Sequence, residues 1–233
     1  MAVRVSDIHR VHHGTFTRPR AETGTEHPRV EVVLGYAVRH PEGVILFDTG
    51  IGAADAETDA WYEPSRVPLP QALAGAGLGI EDVDLVVNCH LHFDHCGGNP
   101  ALAGRPVFVQ GHELATARAG DYTVPELVDF AGVRYEELDG EAEIAPGVLV
   151  VPTPGHTEGH QALVLRCADG TVVLAGQSTE TTSELATAFR QVGAARDTGR
   201  HDLAPAPAWV SRLLELDPRR VVLAHDEAVW EPA

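Results

Sequence analysis

Three histidines and an aspartate fall within six residues at His90-Leu91-His92-Phe93-Asp94-His95, directly after the β-prone run Asp84 to Cys89. On an extended segment successive side chains alternate in direction, so His90 and His92 share a side and can chelate one metal ion. Asp94 and His95 follow at the bend, within reach of a second ion. Gly97 and Gly98 let the backbone turn sharply and pack close to the site. Imidazole with carboxylate is a donor set for zinc, and also for iron, manganese or cobalt. Two histidines alone would fit a solvated strand face better than a metal site. Four donors crowded behind an apolar strand favour metal.

A cation held by three neutral imidazoles keeps its positive charge and an open coordination position. Water bound there is acidified to a pKa of roughly 7. Asp94 is then the candidate catalytic residue, orienting the hydroxide and taking its proton, while a nearby carbonyl is polarised. The chemistry favoured is hydrolysis of an ester, lactone, thioester or amide. No GxSxG element and no evident Cys–His pair competes as nucleophile. Cys89, Cys96 and Cys167 are odd in number and form no CxxC, which reads as structural packing rather than a disulfide framework or zinc ribbon.

The elements that must position these residues are mostly strands. Segment 15–30 is polar and proline-bearing and reads as a surface loop. VEVVLGYAV and VILFD flank the turn His40-Pro41-Glu42-Gly43 as a hairpin. Ala53 to Val67 reads as an acidic and aromatic loop, and QALAGAG after Pro70 as a short helix ended by glycine. PVFVQ, GVLVVP, QALVLRC, TVVLAGQ and RVVLAHD read as strands, and GHELATARAG and PAWVSRLLEL as helices. Asp121 to Glu143 has no clear reading. The expected fold is α/β, a two-sheet core with helices outside, whose histidine-bearing loops converge at one edge. At 233 residues, one domain over 1–233 is expected, with 1–29 partly loop.

Composition narrows the partners. Lys plus Arg total 17 against 34 Asp plus Glu, a formal net charge of −17. That leaves too little positive charge for a nucleic-acid backbone or an anionic membrane surface. The apolar runs are too short to span a bilayer, and the N-terminus lacks the unbroken apolar stretch of a signal peptide, so a cytoplasmic location is expected. A small-molecule acyl substrate is the expected partner, and a homodimer is left open.

HLHFDH resembles the HxHxDH signature of the metallo-beta-lactamase fold superfamily. Phe47-Asp48-Thr49-Gly50 resembles its early DTG motif, Pro154 to His160 (PGHTEGH) its PGHTxGH loop, and Ala224-His225-Asp226 its late strand-end histidine. The resemblance spans about residues 30 to 230. It implies a four-layer αββα sandwich of two mixed β-sheets with outer helices. It also implies one metal site of His90, His92 and His156 and a second of Asp94, His95 and His225, with Asp48 and His160 supporting them from behind. His9, His12, His13, His27, His40, His112 and His201 are left to surface or structural roles.

Within the superfamily the chain is most similar to the N-acyl-homoserine lactonase-like hydrolases. It departs from them in one strand, Val173-Leu174-Ala175-Gly176-Gln177, where Gln177 stands in place of a bridging aspartate. Glu180 stands where those lactonases carry a tyrosine. An amide carries no charge to offset two neighbouring cations. The expectation is therefore one tightly held zinc and a second that is weak or absent, with Gln177 and Glu180 as candidate atypical ligands and a solvated loop residue as the alternative, and favoured, reading of Glu180. Phe16, Trp61 and Tyr62 are candidates for an apolar substrate pocket or for loop packing. Two other readings stay open: a non-catalytic metal- or ligand-binding sensor or scaffold, and a thioesterase of the glyoxalase II type. The charge disfavours a nuclease, and the missing export signal a β-lactamase.

Overall fold

The first strand runs into the segment 15–30 that is expected to be a loop. In the computed structural model, which describes residues 2–120, 122–200 and 202–232, β1 runs over Ile8–Arg18 and α1 over Arg20–Thr23. The polar look of 15–30 misleads because Thr15 and Thr17 alternate with Phe16, and only Phe16 of the three is buried. β2 (Arg29–His40) pairs antiparallel along nearly all of β1, and β3 (Gly43–Phe47) completes the expected hairpin.

Ala53 to Val67 is also more ordered than its composition implies. It holds α2 (Ala56–Tyr62) and the short β4 (Ser65–Arg66). Asp55 starts α2 by accepting the backbone N–H groups of Glu57 and Thr58, both at 2.9 Å. There follow α3 (Leu69–Gly75), β5 (Val83–Val87), β6 (Pro106–Gln110) and α4 (Gly111–Arg118). The stretch without a sequence reading forms α5 (Pro125–Val128), β7 (Arg134–Leu138) and β8 (Ala142–Ala145). Asp121, which opens that stretch, and His201 lie outside the described residues.

The second half continues with β9 (Val148–Pro152), β10 (Gln161–Cys167) and β11 (Gly170–Leu174), then α6 (Thr182–Thr198), α7 (Ala208–Glu215), β12 (Pro218–Val222) and β13 (Val229–Trp230). α6 has no counterpart in the reading from sequence. Its signal was present: Thr181 and Glu184 form a reciprocal capping box ahead of Leu185 and Phe189.

Two mixed sheets result, one in the order β4-β1-β2-β3-β5-β6-β7 and one in the order β13-β12-β11-β10-β9-β8. They are flanked by helices in the four-layer αββα arrangement. Three apolar layers hold it together. Leu34, Phe47 and Val87 of the first sheet meet Val150, Leu163 and Leu174 of the second. Leu73, Leu114 and Leu127 cover the outer face of the first sheet, and Leu185, Phe189, Trp209 and Leu213 that of the second. Strand β10 shows why the sequence reads as continuous apolar runs. Leu163 and Leu165 face the other sheet while Ala162 and Val164 face the helices, so both faces are buried. No helix among the described residues is long and apolar enough to cross a membrane.

β3 and β5 run parallel, as do β11 and β12, and β9 shares the direction of β11 through the antiparallel β10. The loops leaving β3, β5, β9, β11 and β12 therefore emerge at one edge of the sandwich. These five loops carry Asp48, His90 to His95, His156, Gln177 and His225.

Candidate metal centre

Each loop is anchored before its histidine is presented. After β5 the chain coils tightly, His95 and Cys96 both donating their N–H groups to the carbonyl of His92 at 3.0 and 3.1 Å. Asn88 holds this turn from beneath, donating to the His95 carbonyl at 3.0 Å and accepting from Asn99 at 2.8 Å. Gly97 is required by close approach, since a Cβ there would lie 1.8 Å from the backbone nitrogen of Gly52. The loop bearing His156 is held by Trp209 of α7, whose Nε1 donates to the Pro154 carbonyl at 3.0 Å.

The rings meet in two groups. Nδ1 of His92 lies 2.9 Å from Nε2 of His90 and 3.1 Å from Nε2 of His156. Burial, with smaller contributions from neighbouring histidines, lowers all three, His92 to about 4 and His156 to about 2. Three neutral rings thus direct nitrogen atoms at one point, the state in which imidazole binds a metal. In the second group His95 and His225 bring their Nε2 atoms within 3.1 Å of each other, and Asp94 Oδ2 lies 3.4 Å from both. His225 Nδ1–H donates to the Val32 carbonyl at 2.8 Å and His95 Nδ1–H to Asp48 at 3.0 Å, leaving both Nε2 atoms turned inward.

The carboxylates behave differently. Burial works against the charge of Asp94, yet His95, followed by His225 and His92, holds its carboxyl well below the usual range. Burial likewise disfavours the His95 cation, but the carboxylates of Asp94 and Asp48 beside it push the imidazole up. Asp48 sits directly after β3 in a left-handed conformation, φ 60°. Its side chain also takes the Cys89 N–H at 2.8 Å and the Cys89 thiol at 3.0 Å. The thiol is buried and pushed far up, so it remains a donor. All three cysteines are unpaired, Cys89 and Cys96 buried and Cys167 half-buried.

The donor chemistry of both groups fits a divalent cation: three neutral nitrogens in one, and two nitrogens with an ionised oxygen in the other. Two further groupings lie close by, Cys89–His90–His160 and Asp48–Cys89–His95. Their donors are already committed, because the thiol stays protonated and Nε2 of His160 accepts the Gln177 N–H at 3.0 Å.

A cavity of about 190 Å³ opens onto His92 and His156 of the first group and onto Asp94. Gln177 shares its wall with His92, Asp94 and His156. The structure does not bring Glu180 into either group. Its carboxylate accepts from Arg29 at 2.9 Å and from the Gln177 amide at 3.5 Å. Phe16 and Tyr62 line the cavity with Phe93, whereas Trp61 is 51% exposed and donates to Glu22 at 2.8 Å. Arg18 and Glu22 complete the wall and carry no signal in the sequence. Arg18 is locked there by a two-pronged pairing with buried Glu31 at 2.8 and 2.9 Å. A larger open cleft of about 910 Å³, between the start of α2 and the α4–α5 connection, contains none of the grouped histidines. Of the histidines left to surface or structural roles, His12, His27 and His112 are exposed and His9 and His40 half-buried. His13 is fully buried against Gly35 and Gly50, with neither ring nitrogen partnered.

The family profile described as the metallo-beta-lactamase superfamily matches residues 28–225. The chain belongs to the metallo-beta-lactamase superfamily. Among curated relatives, an N-acyl homoserine lactonase of a Bacillus species is 32% identical over 142 residues, covering 56% of this chain and 56% of that protein. The chain thus spans just over half the length of that relative. Among solved structures, a mutant of AiiA from B. thuringiensis with N-decanoyl-L-homoserine bound at the active site superposes with a TM-score of 0.75. It is 22% identical, and the match covers 97% of this chain and 95% of that one. AidC, described as a dizinc quorum-quenching lactonase, superposes with a TM-score of 0.68 at 14% identity, over 94% of this chain and 87% of that one. These superpositions establish the superfamily's fold.

Proposed function

We propose that the chain is a metal-dependent hydrolase of lactones or related acyl esters, with one tightly held zinc and a weaker second site. The observation that carries this is the meeting of His90, His92 and His156, all neutral, beside a cavity whose wall includes His92, His156 and an ionised Asp94. The lactonase relatives supply the substrate class. His90, His92 and His156 would hold the first ion, and Asp94, His95 and His225 the second. Zinc fits the nitrogen and oxygen donors and the dizinc description of AidC. We read residues 1–233 as one domain, because the proposed ligands come from both sheets.

When bound, such a cation supplies charge that acidifies water and polarises a carbonyl. The chain's own residues do the remainder. The Asp94 carboxylate accepts the proton of the attacking water and orients it toward the substrate carbon. Phe16, Tyr62 and Phe93 shield the cavity from bulk water. Arg18, held by Glu31, presents its remaining N–H groups as donors to a substrate oxygen. The cavity volume suits a short acyl group better than a long one.

The buried amide of Gln177 favours a second reading, in which the chain binds metal without turnover. Hydrolysis of a panel of lactones and aryl esters decides between them. Turnover that is abolished by a chelator, restored by zinc and absent from His92→Ala supports the hydrolase. A metal-loaded protein that turns over none of the panel supports the binding protein.

A further inference from the structure

The two loops that bring the three imidazoles together are joined by a carboxylate that touches none of them. Glu113, on α4, is 1% exposed. Its Oε1 accepts the backbone N–H of Leu91 at 2.8 Å and the phenol of Tyr122, and its Oε2 accepts the hydroxyl of Thr157 at 2.8 Å. Each donor neighbours the cluster. Leu91 lies between His90 and His92, and Thr157 directly follows His156. The ring of Tyr122 lies on that of His92, centroids 4.6 Å apart and planes inclined at 35°.

The backbone repeats the message. A Cβ on Gly159 would lie 2.4 to 2.6 Å from the Cβ, Cα and N of Glu113, so the His156 loop rides directly on the first turn of α4. His92 and His156 stand 64 positions apart in the chain. In the tautomers that can bind a metal the inward nitrogens all carry lone pairs, which repel one another, so something outside the cluster must hold the rings in register.

We infer that Glu113 is a positioning residue, a latch that ties the His90–His92 turn to the His156 loop and so sets the geometry of the three-nitrogen site. The inference rests on the reading of that cluster as a metal site. It assigns Glu113 no contact with metal or substrate. Its oxygens act as acceptors, so a neutral amide of the same shape serves in their place. In Glu113→Gln the amide oxygen keeps Leu91 and Tyr122 while the NH₂ group donates to a rotated Thr157 hydroxyl.

The test measures zinc affinity by competition with a chromophoric chelator, and the visible spectrum of the cobalt(II) form. The proteins compared are the wild type, Glu113→Gln, Glu113→Ala and Thr157→Val. Melting of the metal-free proteins separates loss of the site from loss of the fold. Glu113→Ala is expected to weaken the first equivalent about tenfold or more and to alter the cobalt spectrum. Thr157→Val should weaken it by about threefold, and Glu113→Gln should stay near wild type in both readouts. Glu113→Ala with wild-type affinity and spectrum overturns the latch, as does Glu113→Gln falling as low as Glu113→Ala. If Glu113→Ala does not fold, wild-type affinity in Thr157→Val overturns it instead. A wild type that binds neither ion removes the metal-site reading itself, whereas a wild type that binds both with unaffected variants removes only the latch.

Discussion

Nε2 of His160 accepts the backbone N–H of Gln177 at 3.0 Å, while Nδ1 of the same ring pairs with the Thr153 hydroxyl at 2.7 Å. This sets the tautomer: the proton is on Nδ1 and the lone pair on Nε2 is spent on Gln177. His160 therefore stands 5.5 Å from the His90 ring, between centroids, without being free to ligate. Its role is to hold Gln177 where the side-chain amide reaches the cavity wall.

That placement makes Gln177→Asp the informative exchange. A carboxylate there offsets cation repulsion, so the second equivalent of zinc should bind about tenfold or more tighter. Without metal the same carboxylate is buried in the wall it shares with the ionised Asp94, and the metal-free variant should melt lower than wild type. Equilibrium dialysis with elemental analysis reads the first effect and thermal melting the second. An unchanged second equivalent would mean that the amide is not what weakens the site.

Glu180→Ala should leave metal stoichiometry as in wild type. Its carboxylate is 39% exposed and engaged by an Arg29 that is 42% exposed. Such a pair contributes about 0 to 1 kcal/mol, so the change in stability should be small as well. Loss of a bound equivalent in this variant would restore Glu180 as a ligand.

Asp48→Asn tests the support of the second cluster. Asparagine tolerates the left-handed backbone at this position, so the substitution isolates the carboxylate. With the amide oxygen kept on the Cys89 N–H, the NH₂ group stands where Oδ2 accepts from His95 Nδ1–H. Affinity at the Asp94–His95–His225 cluster should fall about 10- to 100-fold. Breaking a buried pair should also lower metal-free stability by about 3 kcal/mol, read by denaturant titration. Wild-type behaviour on both counts would show that Asp48 does not orient His95.

His13 sets the sign of one part of the acid response. Burial, opposed by Asp48, lowers its imidazole from 6.5 to about 4. Between those values the unfolded chain binds more protons than the folded one. Metal-free stability should therefore fall as pH drops from 6.5 toward 4, and this contribution should level off below. The shift corresponds to about 3 kcal/mol over that window. His160, lowered to about 3 chiefly by burial, acts in the same direction. Denaturant titrations across pH 4 to 7 should show a shallower acid limb in His13→Leu than in wild type. An equal slope would remove His13 as a contributor.

Much of this was legible along the chain, for local reasons. Strands β5, β6, β9, β10 and β11 announced themselves because both of their faces are buried, leaving unbroken runs such as QALVLRC. β1 did not, since it alternates polar and apolar residues between charged ones, and its partner β2 is what makes it a strand. The short β7 and β8 were hidden by acidic residues on a sheet edge.

The site divides along the same line. Sequence spacing by itself determined that His90 and His92 project together from one segment, and the PGHTEGH and AHD motifs brought in His156 and His225 through resemblance. Only the tertiary structure decided which other groups stand behind them. It buried His13 without a partner, gave Glu180 to Arg29, spent His160 on Gln177, and set Arg18 and Glu113 beside loops far from them in sequence. The physical reason is range. The direction of a side chain follows from the pleat of its own strand, whereas its burial, protonation and hydrogen-bond partners depend on whatever the rest of the chain packs against it.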